Sequence, residues 1–320
     1  MIRSISTRGM SRDEWLALRK QGIGGSDMGK ILGVSEWGTA VDVWLEKTGR
    51  RPDAPENEAM WIGRELEGAV AKRYASEKGV QVIKHNFLLI DDDFHLVGNL
   101  DRLVKEWANV AVAHKGEVRT PLGLEVKTSG GAPWAEVPEH YKAQMHTYMA
   151  LAPSIMRFDL AVLFYGMAKE FRVFSEPRDD AIVAGLRMRC QEWWERHVLG
   201  DTPPAPTCED DCRGLWAVSR DRLVVATPSV IEAVDAIRNF NAQIDVLQAS
   251  VSDMKLRVMS AMEDGDVLVG EAGKKLATWR SNKDSAKTDW KQVALESGAT
   301  PELIDRFSRT IHGVRQFRIA

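Results

Sequence analysis

An α/β fold, with a mixed central sheet flanked by helices, is what this sequence predicts, and three observations predict it. Helical periodicity through the first eighty residues gives way to segments rich in β-branched and aromatic residues, VQVIKHNFLLI, FHLVGNLDRLV and GLEVKT. A further helix, two strands and another helix follow, and that alternation of elements belongs to a sheet with helical layers. The chain is also 320 residues long, 44% hydrophobic and carries 11 tryptophans, enough to bury a full core.

The elements follow in order. Trp15, Leu16 and Leu18 share a short helix. In GIGGSDMGKILG, Gly24 and Gly25 precede Ser26, which reads as an N-cap, with Gly33 as the stop. Thr39 caps the next helix, which ends at Gly49. Met60, Leu66, Val70 and Tyr74 sit at near-helical spacing in a long amphipathic helix that closes on Gly79. The three strand-like segments come next and are expected to lie side by side. Pro138 is placed at the first position of the helix EHYKAQMHTYMAL. FDLAVLFYG and EFRVF read as strands, and RDDAIVAGLRMRCQEWWERHVLG as a helix.

The proline-rich run GDTPPAPTCEDDC marks a boundary, dividing the chain into 1–204 and a mainly helical extension, 205–320. There, Val230, Val234, Ile237, Ile244, Leu247, Val251, Met254 and Val258 follow a seam close to a heptad, the mark of a long helix packed on a partner helix. That partner belongs either to the same chain or to a neighbouring subunit. A hairpin in DVLVGEAGKKLATWRS, two short helices and a final strand, GVRQFRIA, complete the reading. Arg306, Arg309, Arg315 and Arg318 give the end a basic bias that fits phosphate contact or a solvated face equally.

No apolar stretch approaches the ~20 residues of a membrane span, and MIRSISTRGMSRDEW lacks the apolar core of a secretory signal, so a cytoplasmic protein without membrane contact is expected. Three cysteines, Cys190, Cys208 and Cys212, are too few for a disulfide framework, and no His or Cys near Cys208 and Cys212 completes a zinc site. A net charge of −3 does not announce a nucleic-acid binder; any such surface must come from segregated charge around an acidic centre.

The chemistry concentrates at Asp101 in GNLDRL and at Glu125 and Lys127 in GLEVKT. Residues two apart on a strand share a face, so Glu125 and Lys127 point together while Val126 faces the other way. With Asp101 from the neighbouring strand, two carboxylates and the Val126 carbonyl form an oxygen set that suits Mg²⁺. Such a set meets the needs of phosphodiester hydrolysis, with Lys127 orienting or deprotonating water or stabilising charge on the phosphate. The plain alternative is a solvated strand face on which Glu125 and Lys127 merely pair. Two carboxylates on apolar strands argue against it, because unpaired they would be costly.

WLALRKQGIGGSDMGKILGVS, WIGRELEGAVAKRY, GNLDRL, GLEVKT and HYKAQMHTYM, in this order over about residues 12 to 200, resemble the YqaJ-type viral recombinases, the group that includes phage lambda exonuclease. The resemblance implies a PD-(D/E)XK nuclease core and Mg²⁺-dependent digestion of the 5′-ended strand of linear duplex DNA, leaving 3′ overhangs for recombination by strand annealing; Mn²⁺ is expected to substitute. It assigns Glu67 to the metal site in preference to Glu65, which lies about 200° away on the same helix. It gives Asp101, Glu125, Val126 and Lys127 the metal and catalytic roles above and places Gln144 and Tyr141 as supporting residues, core packing being the alternative for Tyr141. Arg19 and Ser26 correspond to a pocket for the 5′-terminal phosphate, where a helix start and a bidentate guanidinium would hold an anion; an ordinary cap is the alternative.

The sequence departs from the family pattern in a long stretch between Asp101 and Glu125, read as an inserted hairpin, and in the extension after 204. The resemblance further implies duplex DNA with 5′-phosphorylated ends as substrate, a homotrimeric ring, a single-strand annealing protein as partner, and a phage or prophage origin in a bacterial host. Competing readings are another RecB-like nuclease and a catalytically silent DNA-end-binding scaffold.

Overall fold

The structure, a computed structural model, describes residues 2–52, 57–105, 112–285 and 287–307. The chain divides into two units, Met1–Trp216 and Ala217–Ala320.

The first unit opens with β1 (Ile2–Ser6), a strand the sequence reading did not foresee, followed by α1 (Arg12–Arg19) and α2 (Gly25–Ile31). Then come α3 (Ala40–Lys47), α4 (Glu58–Lys78), β2 (Gln81–Lys84) and β3 (Phe87–Asp91). β4 (Leu96–Asn99), β5 (Arg102–Lys105), the small hairpin β6 (Ala113–His114) and β7 (Glu117–Val118), and β8 (Leu122–Ser129) lead to α5 (Glu139–Leu151). β9 (Arg157–Phe164), β10 (Glu170–Pro177), α6 (Asp180–Trp193) and α7 (Glu209–Leu215) close the unit.

The expected hairpin between Asp101 and Glu125 is thus β6 and β7, while residues 106–111 within that stretch lie outside the described residues. Local chemistry sets the helix ends. Ser11 and Thr39 each build a reciprocal capping box, with Glu14 and Asp42 respectively. Asn57 caps α4, and Gly79 stops it in the left-handed conformation at φ 65°.

Two starts differ from expectation. Pro138 is the cap of α5, one residue before the helix. At α2 the cap is Gly24, not Ser26: the Asp27 carboxylate accepts the Gly24 N–H at 2.9 Å, which starts the helix two residues earlier and leaves Ser26 exposed in its first turn.

The strand-like segments also do not form one run of neighbours. β1, β3 and β4 make a three-stranded antiparallel sheet, and β10-β9-β8-β5-β2 a five-stranded sheet in which only β8 and β9 run parallel. The chain passes from one sheet to the other at Leu100 and Asp101, between β4 and β5. The larger sheet is mixed and covered by helices. On one face Val70, Ala71 and Tyr74 of α4 pack against Val104, Leu124 and Val126. On the other, α5 and α6 bury Met145, Met149, Leu186 and Trp193 with Leu103, Leu160 and Val162. Burying both faces explains why β9 reads as a nearly continuous apolar run.

The first unit continues past residue 204. Asp211 of α7 is buried, accepting Thr39 Oγ1 at 2.6 Å and Thr207 N at 2.7 Å, which fastens the proline-rich run beside α3. The second unit holds α8 (Pro228–Met262), the hairpin of β11 (Val267–Val269) and β12 (Lys275–Thr278), α9 (Trp290–Glu296) and α10 (Pro301–Phe307). The expected last strand and Arg309, Arg315 and Arg318 lie outside the described residues. Among those described, no helix is long and apolar enough to cross a membrane.

Candidate active site

β8 carries Glu125 and Lys127 on the face opposite Leu124 and Val126, so the strand's alternation directs the two charged side chains towards α5. The Glu125 side chain is 2% exposed, and Lys127 Nζ lies 2.6 Å from its Oε1. Gln144, buried on α5, donates its Nε2 to the same oxygen at 2.7 Å, and to the Tyr148 hydroxyl at 2.9 Å. Both partners of Glu125 therefore use Oε1. Oε2 is buried with no hydrogen-bond partner.

Asp101 occupies the bend before β5 and is fixed from β8, where the Val126 N–H donates to its Oδ2 at 3.0 Å. Burial, reinforced by the neighbouring Glu125 charge and opposed by Lys127, pushes its carboxyl up to about 8. Glu67 of α4 adds to the same effect and is itself held by Arg102, whose Nη1 donates to Glu67 Oε1. Glu65 is about half exposed and leans on Arg64. For Lys127 burial works against the charged form, yet the Glu125 and Asp101 carboxylates hold its ammonium well above the ordinary lysine range. The Tyr141 ring lies 5.2 Å from Lys127 Nζ and packs on Trp134.

These residues fit a hard divalent ion. A buried carboxyl whose ionisation is opposed by burial and a neighbouring carboxylate, that neighbour having a buried oxygen without a donor, is the environment a cation relieves. Mg²⁺ commonly takes only one or two carboxylates and completes its shell with water and substrate oxygens. That agrees with the absence, among the described residues, of any cluster of three or more His, Cys, Asp or Glu able to hold a metal. Asp101 and Glu125 would hold it, with the Val126 carbonyl as a further oxygen; Glu67, expected as a third carboxylate, is tied to Arg102 and does not join them in a three-residue group.

Arg19 and Ser26 come together at the start of α2, with Arg19 Nη2 3.4 Å from Ser26 Oγ and its guanidinium over the Trp15 ring at 4.9 Å. The turn before α2 is stitched to β4: Ile23 N donates to His95 O at 2.7 Å and Val97 N to Ile23 O at 2.9 Å. Gly22 is required there, since a Cβ would stand 2.7 Å from the His95 carbonyl. Gly25 packs directly on α5, for its Cβ would lie 2.9 Å from Gln144 Cγ and 3.0 Å from the Tyr148 ring.

Sequence reasoning missed four residues that hold this arrangement. Tyr148 stands four positions after Gln144, a helical spacing that would have flagged it. Arg102 follows Asp101 directly but gives no hint of reaching Glu67. Asp27 and Lys47 form a buried pair at 2.7 Å, and Lys47 Nζ also donates to the Arg19 carbonyl at 3.0 Å. Burial alone would raise the Asp27 carboxyl, but Lys47 and Arg19 beside it hold it well below the usual carboxylate range. A depressed carboxylate stabilises the fold above about pH 4, and that contribution is lost as pH falls towards its folded value. Lys47→Met should cost about 3 kcal/mol, the lower end for a broken buried pair, because the Gly24 N–H and Arg19 remain beside the carboxylate. Urea denaturation at pH 7 measures it, and a loss below 1 kcal/mol would show the pair to be dispensable.

Residues 14–153 match the YqaJ-like viral recombinase domain. The chain is similar to an uncharacterized protein, YqaJ, of Bacillus subtilis strain 168, with 29% identity over 283 residues covering 85% of this chain and 84% of that one. Among solved structures it is similar to an alkaline exonuclease from Laribacter hongkongensis (18% identity, TM-score 0.43, 59% of this chain, 93% of that chain). A phage related exonuclease from Haemophilus somnus 129PT also matches (13% identity, TM-score 0.41, 59% of this chain, all of that one).

Proposed function

We propose that the first unit is a PD-(D/E)XK nuclease that digests the 5′-ended strand of linear duplex DNA with Mg²⁺ as cofactor. The observation that carries this reading is the buried Glu125 carboxylate, clamped through one oxygen by Lys127 and Gln144 and bare at the other, beside a carboxyl whose ionisation it opposes. A bound Mg²⁺ would supply charge neutralisation on the phosphate and activation of water.

The chain's own residues do the rest. Gln144 and the Val126 N–H fix the two carboxylates in position, so that little reorganisation is needed when phosphate arrives. Lys127, cationic at working pH, lies where it can neutralise charge developing on the phosphoryl oxygens. Glu67, braced by Arg102, borders the same site. Tyr141 lies against Lys127 and borders the DNA path.

Arg19 and Ser26, with the backbone N–H groups at the start of α2, are the proposed seat of a 5′-terminal phosphate. A gripped 5′ end would set polarity by fixing which bond reaches the carboxylates. Duplexes lacking a 5′ phosphate should be degraded at least tenfold more slowly, the equivalent of one charge-assisted contact of about 1.4 kcal/mol. Arg19→Ala should remove that preference. Equal rates on both ends for the unaltered protein would remove the pocket from the mechanism.

On the resemblance to its family, we take the enzyme to act as a homotrimeric ring with a single-strand annealing protein, in the cytoplasm of a bacterial host carrying the phage or prophage, with Mn²⁺ able to replace Mg²⁺. Time-resolved digestion of a duplex labelled at one 5′ end, with and without Mg²⁺, tests activity, direction and metal need together. Early release of the 5′ label in magnesium alone is expected. Binding of ends without nucleotide release would leave a DNA-end scaffold, and release from the 3′ end another type of nuclease.

A further inference from the structure

The long helix of the second unit carries a seam that fits one partner. In the heptad register that starts at Val230, the a positions are Val230, Ile237, Ile244, Val251 and Val258, every one β-branched. The d positions are Ala233, Phe240, Leu247, Met254 and Ala261, none of them β-branched. Five consecutive heptads exceed the three or four that mark a coiled coil. Within the chain the seam is open, with Phe240 61% and Leu247 64% exposed, and among the described residues nothing buries it.

The separation of residue shapes carries the identity and direction of the partner. When two helices run parallel and in register, a meets a and d meets d, giving two kinds of layer with different packing geometry. β-branched side chains suit the a layers and unbranched-at-Cβ side chains the d layers of a two-stranded coil. In an antiparallel pair each layer mixes an a with a d, and no reason remains to keep the two sets distinct. A parallel, in-register arrangement makes identical layers from identical helices, so a second copy of the same helix satisfies it at every position.

Charge agrees. The flanking positions that would face each other across a parallel pair are Ser229 with Val234, Ala236 with Asn241, Gln243 with Gln248, Ser250 with Lys255 and Arg257 with Met262, so no like charges meet. Two ion pairs form along the helix itself, Arg238 with Asp235 at 3.0 Å and Arg257 with Asp253 at 2.9 Å. No charge pattern asks for a foreign partner.

We propose that α8 pairs with α8 of a second copy of this chain as a parallel, in-register two-stranded coiled coil. The inference is independent of the nuclease reading. It is tested on the full chain by light scattering of the unaltered protein and of an Ile244→Asp/Val251→Asp variant, both positions being exposed in the single chain. The mass should fall twofold, from two chains to one or, with the ring of three proposed above, from six chains to three. An unchanged mass would overturn the pairing, and a threefold fall would overturn the two-stranded form.

Direction is read from Val258→Cys in a Cys208→Ser/Cys212→Ser background. In the parallel pair the two introduced thiols are neighbours and should cross-link on mild oxidation. In an antiparallel pair centred on the seam they would be roughly 40 Å apart. Failure to cross-link, or cross-linking of Val258→Cys only to Val230→Cys chains, would overturn the parallel arrangement.

Discussion

Asp101→Asn should abolish nucleolysis and at the same time make the metal-free protein more stable at alkaline pH. The amide keeps the oxygen that accepts the Val126 N–H, so the bend before β5 has no reason to move. It removes one of two carboxylates proposed to hold the cation, and the several kcal/mol of charge stabilisation that a metal supplies corresponds to a rate loss of about 10³-fold or more.

The stability effect has the opposite sign and comes from the same neighbours. Burial and Glu125 push the Asp101 carboxyl up to about 8, whereas in the unfolded chain it titrates in the ordinary range. A raised folded value means that its contribution is fully present below about pH 4 and is lost as pH rises through the folded value. Without metal, the unaltered protein should therefore lose stability between pH 5 and about 9, and asparagine, which does not titrate, should flatten that slope. At pH 8.5 in chelator the variant should melt higher by roughly 2–4 °C for each kcal/mol of relieved repulsion. Calorimetry across this range, paired with digestion assays, separates the two effects. Activity within tenfold of the parent would remove Asp101 from the chemistry, and identical pH profiles would mean that the carboxylates do not interact.

The same site shows where sequence is a sufficient guide. Glu125 and Lys127 were legible because strand alternation is local: two residues apart on an apolar strand fixes their shared direction before any tertiary contact is known. The caps at Thr39 and Gly79 were legible for the same reason. The start of α2 was not, because Ser26 and Asp27 compete to close one turn and the winner is decided by Lys47, which arrives from another helix and neutralises the buried aspartate. The division into two sheets was equally hidden. The segment holding β4 and β5 reads as one strand-like stretch, and only the turn at Leu100 and Asp101 sends its halves to different partners. That turn is also what brings Asp101 against β8. The Arg102 to Glu67 pairing and the Tyr148 to Gln144 contact depend on packing across elements, which periodicity does not encode.

Lys127 gives the second large effect, and its substitutions distinguish a fixed charge from a base. In the metal-free site the carboxylates beside it hold its ammonium well above the ordinary lysine range, which favours a fixed charge over a base. Lys127→Met should then lower turnover by about 10²–10³-fold at saturating Mg²⁺, the range for removal of one preorganised donor to developing charge. Lys127→Arg should keep much of the rate, within roughly tenfold, because a guanidinium stays charged and is a poor base. If arginine is as inactive as methionine, the lysine acts by proton transfer and the fixed-charge reading fails. Binding supplies a check that a merely structural role would not produce. In the metal-free protein Lys127 occupies Glu125 Oε1 at 2.6 Å and competes electrostatically with an incoming cation. Removing it should tighten Mg²⁺ binding by on the order of tenfold, read by calorimetric titration, even as turnover collapses. Weaker metal binding in Lys127→Met would instead mean that the ammonium holds Glu125 in place for the ion, so that its loss scatters the site.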